Sequence, residues 1–476
     1  MFNFFKLFKK TKKNDPLFLY NTMGRKKDLF KPIKAGKVGL YTCGPTVYLY
    51  AHIGNMRTYI FEDILKRVLM YNGYEVKHIM NFTDVGHLTN DRDMGEDKVE
   101  KEAKKEGKTA WEITTFYAEA FKKDLNYLNI IYPNLFCKAT DYIKEQIDLV
   151  KKLEEKGYTY KIDDGIYFDT SKVPDYAKLS GQKIEYLKEG ARVEMNNQKK
   201  SHIDFALWKF SPKDSKRQME WSSPWGVGFP GWAIECSAMS MKYLGDQFDI
   251  HCGGIDHVNI HHSNEIAQTE SATGKKPWVN YWIHGAFLNI KGDAKMSKSA
   301  DNYETIQNTF VDKNINPLVY RFATLTTHYR KSMEWSDEIL IAAENGLKNL
   351  YSKISNLGIK IGEINQEWNN KFILAINDDL NMPQAMAILN EMLRSGISNA
   401  DKLTTALDFD KVFGLKLGEA VYKRVEVPIE VKKLVDEREV ARKEKNWSKS
   451  DELRLKIKDL GYEVKDSSAG AEIKKL

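Results

Sequence analysis

The sequence predicts an α/β protein in which a parallel sheet, interrupted by an insertion, is followed by an α-helical region. Three observations support this fold class. A strand–helix–strand pattern begins near residue 38, and two further strand-like segments, FDIHCGG and VNYWIHGAFLNI, follow at 248–254 and 279–290. After about residue 316, apolar residues recur at helical spacing almost throughout.

The first pattern is a βαβ unit. VGLYTC at 38–43 and EVKHIMNFT at 75–83 have the apolar composition of buried strands. Between them we expect a helix from about 56 to 71, ended by Gly73. Its apolar positions at helical spacing are Ile60, Ile64, Leu65, Val68 and Leu69. Such units build the parallel sheets whose loops bind nucleotides.

The later segments complete the domain plan. Short strand-like pieces such as GIYFDT, with turns between them, predict an insertion at about 140–215. Segments such as ILIAAENGLKNLYSKISNLG and PQAMAILNEMLRSGI are helical. A lysine-rich segment from about 428 to 476 follows them.

The composition is typical of a globular protein with more than one domain. The 476 residues indicate about two to four domains, with 42% apolar and 29% charged residues as in globular proteins. No apolar run reaches the roughly 20 residues that span a bilayer, and the basic tail at 1–16 is not expected to hold a membrane stably. Four cysteines without a CxxC pair favour the cytoplasm, and a net charge of +7 permits a polyanionic partner.

A candidate anion site lies in the loop before the predicted helix, at AHIGN. His52 and Asn55 stand where backbone N–H groups and the positive end of the helix dipole face an anion. Gly54 leaves room for a nucleotide close to the backbone. Alone, this motif is better explained as a plain helix start.

A second candidate is the loop GDAKMSKSADN at 292–302. Lys295 and Lys298 place two ammonium groups three residues apart, where they can close on an anion that gains charge during a reaction. For an isolated loop of this composition, a solvated surface turn is the simpler interpretation.

Together, HIGN and KMSKS, about 240 residues apart, resemble the paired motifs that flank ATP in class I aminoacyl-tRNA synthetases. The neighbouring segments YTCGPTVY, GWAIECSAM and HHSNEIAQ are similar to the cysteinyl-tRNA synthetase family. The resemblance runs from about residue 17 to 470 and includes DFALWK, HYR at 328–330 and DDLNMP at 378–383.

The residues also suggest a metal site. His261 follows Cys236 by 25 residues, and Glu265 lies four further on, which places imidazole and carboxylate on one helix face. Cys43 ends the first strand, and the carboxyl ends of parallel strands converge at the ligand crevice. Two thiolates, an imidazole and a carboxylate form a plausible zinc set, although spacing alone favours buried free cysteines and a hydrogen-bonded histidine. The zinc ligands of the family fall on these four positions, ahead of the neighbouring His262 and Cys252.

The resemblance implies further roles. It places ATP, with Mg²⁺, at His52, Gly54, Asn55, Lys295 and Lys298, with Lys298 making the main contact to the triphosphate. It places the substrate cysteine at Gly44, Thr83, Trp232 and Asp256. One zinc ion per chain would recognise the substrate thiolate.

Several positions depart from the usual family pattern, among them Asn259 and Ile260, where Phe-Pro is commoner. Asn55 replaces the second histidine of the HIGH motif, and His257 stands where leucine is commoner. Phe229 replaces a frequent arginine, and Ile473 lies about where many members have tryptophan. None of these changes affects the four proposed metal ligands.

The resemblance thus implies a monomeric cysteine–tRNA ligase acting on cysteine, ATP and cysteine tRNA. Its expected parts are a Rossmann-like catalytic domain in two halves, a connective insertion, a junction carrying KMSKS and an α-helical anticodon-binding region with a small C-terminal unit. Their expected bounds are 17–139 and 216–290, 140–215, 291–330 and 331–476. Two alternatives remain: a ligase that gives cysteine to an amino-sugar acceptor, and a non-catalytic paralogue that binds zinc and tRNA.

Overall fold

The structure is a computed structural model that describes residues 15–86, 88–90, 94–181, 197–212, 216–290, 303–422, 428–467 and 470–475. Its strands are β1 Phe18–Asn21, β2 Lys26–Leu29, β3 Lys37–Thr42, β4 Glu75–Phe82, β5 Leu88–Asn90, β6 Met94–Asp97, β7 Leu135–Lys138, β8 Thr159–Ile162, β9 Gly165–Phe168, β10 Phe205–Phe210, β11 Gly228–Pro230, β12 Phe248–Gly254, β13 Val279–Gly285, β14 Leu288–Ile290, β15 Met333–Trp335, β16 Tyr462–Ser467 and β17 Gly470–Lys475. Its α-helices are α1 Ile53–Tyr71, α2 Lys98–Glu106, α3 Ala110–Tyr127, α4 Ile143–Glu155, α5 Trp232–Leu244, α6 His261–Thr273, α7 Leu318–Leu325, α8 Asp337–Ser355, α9 Gln366–Asn377, α10 Met382–Arg394, α11 Asn399–Phe413, α12 Leu417–Tyr422, α13 Ile429–Lys443 and α14 Trp447–Asp459.

A five-stranded parallel sheet in the order β13, β12, β3, β4, β7 forms the centre of the α/β part of the molecule. The chain runs outward from β3 through β4 on one side and from β12 to β13 on the other, so the strand order reverses between β3 and β12. In open α/β sheets ligands bind in the crevice at such a switch point, outside the carboxyl ends of the strands. The predicted α/β fold class is confirmed.

The predicted βαβ unit is present as β3, α1 and β4. Helix α1 begins at Ile53, three residues before the expected start, because His52 already caps it. Gly73, just beyond the C-cap Asn72, has φ +85°, a left-handed conformation that glycine adopts without a steric penalty. The helix therefore ends where the sequence predicted.

A separate antiparallel sheet in the order β11, β10, β9, β8 lies largely within the segment predicted as an insertion, although β11 follows the expected end of that segment at 215. Its core includes Phe168, Phe205 and Trp208, all of them buried. Among the described residues, no helix is long and apolar enough to cross a membrane.

The helical region shares its core with the catalytic sheet. A single buried cluster contains Ile64 and Leu65 of α1 together with Phe372 of α9 and Phe409 of α11. The rings of Phe372 and Phe409 stack with centroids 3.9 Å apart. By contrast, α13, α14 and the β16–β17 hairpin have a small cluster of their own, formed by Val431, Val435, Ile457, Tyr462 and Val464.

Asp124 on α3 gives the fold a testable pH dependence. The side chain is buried, and burial raises its pKa from 3.8 to about 7. The folded state therefore binds this proton more tightly than the unfolded chain, and stability falls as pH rises from about 4 to 7. We expect Asp124→Asn, which is neutral at every pH, to stabilise the protein by on the order of 2 kcal/mol at pH 8 and by less at pH 5.

Thermal unfolding of the two proteins at both pH values would measure this difference. The exposed Asp148, changed to asparagine, is the matched control and should show no such pH dependence. A stabilisation by Asp124→Asn that is equal at pH 5 and pH 8 would contradict the argument.

Candidate active site and metal centre

The four side chains predicted as metal ligands converge at the carboxyl end of the sheet. Cys43 follows β3, Cys236 lies on α5, and His261 and Glu265 occupy the first turns of α6. One ligand atom from each lies within 4.8 Å of the other three, and all four side chains are buried. The i, i+4 spacing brings Nε2 of His261 to 3.1 Å from Oε1 of Glu265.

The electrostatics of this cluster fit a cation. Burial is the largest cause that raises the pKa of Cys43, Cys236 and Glu265, and the close approach of the thiols raises that of Cys43 further. Oε1 of Glu265 faces His261 yet accepts no hydrogen bond from any described residue. A cation among these donors would favour their charged forms and occupy the facing lone pairs. Two thiolates, an imidazole and a carboxylate are ligands that zinc prefers.

Further histidines lie beside this cluster, and of these the sequence indicated His262 as a possible ligand but neither His251 nor His284. Nε2 of His251 is 3.1 Å from Oε2 of Glu265, and Nε2 of His262 is 3.3 Å from Sγ of Cys43. Nδ1 of His262 is 2.7 Å from Nε2 of His284. As a result, Cys43, His251, His262 and Glu265 form a second set whose ligand atoms lie within 4.8 Å of one another. The two sets share Cys43 and Glu265.

The sequence could have indicated that His251 and His284 lie near the crevice. Both lie in strands, β12 and β13, whose carboxyl ends form the crevice. Burial is the largest cause that lowers the pKa of His262 and His284 well below 6.5, so both imidazoles are neutral at pH 7. Buried histidines at the carboxyl ends of parallel strands therefore mark the crevice.

Three of the residues predicted to contact cysteine are Gly44, Thr83 and Asp256, which follow strands β3, β4 and β12 of the parallel sheet. A Cβ at Gly44 would lie 1.7 Å from the carbonyl oxygen of Asn81, so only glycine fits there. Oγ1 of the buried Thr83 accepts a hydrogen bond of 3.0 Å from Asn81. Asp256 lies exposed in the short turn that follows β12.

Trp232, the fourth predicted cysteine contact, begins α5 and lies against the metal cluster. Its ring centroid is 4.2 Å from that of His261 and 5.9 Å from that of His257. The indole therefore forms an apolar wall beside a predicted metal ligand. His257, which replaces the commoner leucine, lies next to the same wall.

The predicted ATP-binding residues His52 and Asn55 form the cap of α1. The backbone N–H of Asn55 donates to Nδ1 of His52, and the backbone N–H of His52 donates to Oδ1 of Asn55, both at 3.2 Å. Because Nδ1 accepts, a neutral His52 carries its proton on Nε2, which can donate to a phosphate. Gly54 lies in the first turn between them.

Lys295 and Lys298 lie at 291–302, outside the described residues. The segment that follows this loop contacts the HIGN motif directly. The backbone N–H of Ile53 donates to the carbonyl oxygen of Glu304 at 2.9 Å, and His52 forms a β-bridge with Thr305. Glu304 and Thr305 therefore lie beside the first turn of α1.

Phe229, another departure from the family pattern, packs against a guanidinium group. The guanidinium carbon of Arg217 lies 3.5 Å from the centroid of its ring, and Arg217 donates to the carbonyl oxygen of Gly86 at 2.6 Å. A cation is thus present beside Phe229, although residue 229 does not supply it.

Comparisons with known proteins agree along the whole chain. A family model described as "tRNA synthetases class I (C) catalytic domain" matches residues 29–345, and "Cysteinyl-tRNA ligase anticodon binding domain" matches 424–473. A protein of Burkholderia lata called cysteine–tRNA ligase 1 is 48% identical over 96% of this chain and 97% of its own length. The cysteine–tRNA ligase of Treponema denticola is 44% identical over 97% of this chain and 100% of its own length.

Solved structures give a more distant likeness. Methionyl-tRNA synthetase of Mycobacterium tuberculosis, in complex with methionyl-adenylate, superimposes with a TM-score of 0.54 at 15% identity. The match covers 82% of this chain and 92% of the other. At this identity the likeness concerns the fold.

Proposed function

Since this chain belongs to the cysteine–tRNA ligase family, we propose that it activates cysteine with ATP and transfers it to cysteine tRNA. A carboxylate oxygen of cysteine attacks the α-phosphorus of ATP, which gives cysteinyl-adenylate and releases pyrophosphate. A hydroxyl of the terminal adenosine of the tRNA then attacks the carbonyl carbon and AMP leaves. The observation that carries this proposal is the convergence of Cys43, Cys236, His261 and Glu265 at the carboxyl end of the parallel sheet.

The metal part of the proposal concerns how cysteine is distinguished from serine. Cys43, Cys236, His261 and Glu265 would hold one zinc ion, which as a soft-ligand metal takes a thiolate in preference to a neutral hydroxyl. Glu265 is held from its other oxygen by His251, which orients the carboxylate toward the cluster. A site specific for one polar group can reject an analogue by roughly 10⁴ to 10⁵ without editing.

The remaining cysteine contacts are proposed from the geometry of the crevice. The Trp232 ring provides an apolar wall, and Gly44 lets the substrate approach the backbone. The Asp256 carboxylate would pair with the ammonium group of cysteine, and the Thr83 hydroxyl would hydrogen-bond to its amino or carboxylate group. These groups hold the carboxylate of the substrate toward the α-phosphate, which is catalysis by positioning.

ATP is proposed to lie across the N-terminal end of α1, bound by His52, Gly54 and Asn55. Nε2 of His52 would donate to a phosphate oxygen, and the helix dipole would favour the negative charge. Lys295 and Lys298 would neutralise the charge that develops as pyrophosphate leaves, with Mg²⁺ bound to the triphosphate.

Lys298→Ala tests the assignment of the KMSKS loop. We expect adenylate formation in a single turnover to slow by about 10²-fold or more, because an electrostatic contact made in the transition state is lost. Cysteine affinity should change little. Lys348→Ala on the surface of α8, where the ammonium pairs only with Glu344 at 2.8 Å, is the control and should leave both quantities unchanged. An unaltered first-step rate in Lys298→Ala would remove this lysine from the mechanism.

We further propose that the helical region and the C-terminal unit bind the tRNA, and that the domains have the bounds expected from the sequence. The family match at 424–473 supports an anticodon-binding role for the last segment. The enzyme is proposed to act as a monomer in the cytoplasm, where four buried thiols remain reduced.

Cysteine-dependent exchange of pyrophosphate into ATP tests the activation step. The proposal predicts exchange with cysteine and at least about 10⁴-fold less with serine. Exchange without tRNA charging would indicate the amino-sugar acceptor, and binding of tRNA without exchange would indicate the non-catalytic paralogue.

A further inference from the structure

Helix α7 contacts the first turn of α1 through a single buried hydroxyl. Tyr320 has no exposed surface, and its hydroxyl donates to the carbonyl oxygen of Ile53 at 2.6 Å. Ile53 directly follows the N-cap His52. Any shift of α7 along α1 is therefore transmitted to the residue next to the cap.

The next residue, Arg321, ties the middle of α1 to two other helices. Its guanidinium donates to Oδ2 of Asp63 at 2.5 Å and to the carbonyl oxygens of Phe413 at 2.6 Å and Leu128 at 3.1 Å. Asp63 also accepts from Arg67 at 2.7 Å, and the side chains of Asp63, Arg67 and Arg321 are almost fully buried. The carboxylate of Asp63 thus lies between two guanidinium groups in one buried cluster.

The two carbonyls have a common origin. Leu128 is the C-cap of α3, and Phe413 is the last residue of α11. The last carbonyls of a helix lack intrahelical partners and carry the negative end of its dipole, so a buried guanidinium is a suitable donor. Arg321 therefore fixes α1 relative to α3, α7 and α11 at the same time.

A second buried tyrosine hydroxyl makes hydrogen bonds at the opposite end of α1, away from the cap. The hydroxyl of Tyr71, the last residue of α1, hydrogen-bonds to Asp408 of α11 and lies 3.0 Å from Oδ1 of Asn369 on α9. Tyr71 is buried like Tyr320. Helix α1 therefore has a tyrosine hydroxyl contact at each end. The contact of Tyr320 is next to His52, and that of Tyr71 is at the far end.

We propose that Tyr320 and Arg321 are positioning residues for adenylate formation. They set the axial position of α1, and so the place of the His52–Asn55 cap relative to the crevice, without contacting a substrate. This inference rests on the proposed function, since it requires ATP at that cap. Small errors in placement are costly, because a displacement of about 1 Å can slow a reaction by about 10²-fold.

The test compares Tyr320→Phe with Tyr71→Phe, which remove one buried hydroxyl each from opposite ends of α1. For both variants we would measure the single-turnover rate of adenylate formation at saturating ATP and cysteine, the cysteine affinity and the melting temperature. Tyr320→Phe should slow the first step about tenfold at unchanged cysteine affinity. Tyr71→Phe should lower the melting temperature similarly and keep the wild-type rate.

Two results would overturn the inference. One is a wild-type rate in Tyr320→Phe, and the other is an equal slowing of both variants, which would indicate general loosening of the fold. Arg321→Lys keeps the charge beside Asp63 but cannot reach all three acceptors, and it should slow the step at least as much as Tyr320→Phe. If Arg321→Lys does not fold, the two tyrosine variants still decide. An absence of cysteine-dependent exchange in the unaltered protein would reject the proposed function instead, so the two failures are distinguishable.

Discussion

His261→Ala is expected to lose bound zinc and cysteine affinity together, while ATP binding survives. The change removes one of four proposed ligands and leaves Oε1 of Glu265 without the group that it faces at 3.1 Å. Loss of an outer-shell partner already costs about 10- to 100-fold in metal affinity, so loss of a direct ligand should exceed about 100-fold. Metal content and cysteine binding should be measured on the same preparation.

His251→Ala is the matched variant, because it separates the two overlapping ligand sets. His251 belongs to the second set, and in the proposed site it only supports Glu265 from the other oxygen. We expect this variant to retain one zinc ion per chain. The reverse pattern, with zinc lost from His251→Ala and kept by His261→Ala, would assign the metal to Cys43, His251, His262 and Glu265. If His261→Ala lacks zinc yet binds cysteine tightly and excludes serine, the metal is structural and the account of selectivity is wrong.

A chain that ends after Tyr422 is expected to keep pyrophosphate exchange and lose most tRNA charging. The removed unit has its own core around Val431 and Ile457, whereas the core shared with the sheet extends through Val421 of α12. The shortened chain should therefore fold. Trp447 of the removed unit is 56% exposed, with the guanidinium carbon of Arg442 5.7 Å from its ring centroid, an arrangement suited to base stacking and phosphate contact.

We expect kcat/KM for charging to fall by on the order of 10² or more at physiological salt, since several phosphate contacts are lost. The exchange reaction on the same preparation is the control for folding of the catalytic half. Charging by the shortened chain equal to that of the full chain would contradict the role of the C-terminal unit in tRNA binding.

Local patterns in the sequence predicted the elements that build the crevice. The strand bounds of the βαβ unit agree within about one residue, and the helix start was missed because His52 and Asn55 cap one another. Family motifs predicted the membership that the comparisons confirm. The family resemblance was needed to name the four proposed metal ligands, which the fold brings within 4.8 Å of one another, because their spacing alone favoured buried free cysteines.

Sequence patterns did not predict the contacts between distant parts of the chain. His251 lies in the apolar strand segment FDIHCGG, where a buried histidine has the pattern of a core residue, so its contact with Glu265 was not predicted. Likewise, the acceptors of Arg321 are backbone carbonyls at the ends of two helices. Every residue type has such a carbonyl, so the sequence does not reveal these contacts. Such contacts depend on how helices meet, which no local pattern specifies.

Aminoacylation of purified cysteine tRNA is the measurement that tests the central claim most directly. The unaltered protein, supplied with ATP, Mg²⁺ and either cysteine or serine, should charge the tRNA with cysteine and release one AMP for each cysteine transferred. Charging with serine should be lower by at least about 10⁴-fold. Failure to charge the tRNA with cysteine, or comparable charging with serine, would contradict the account.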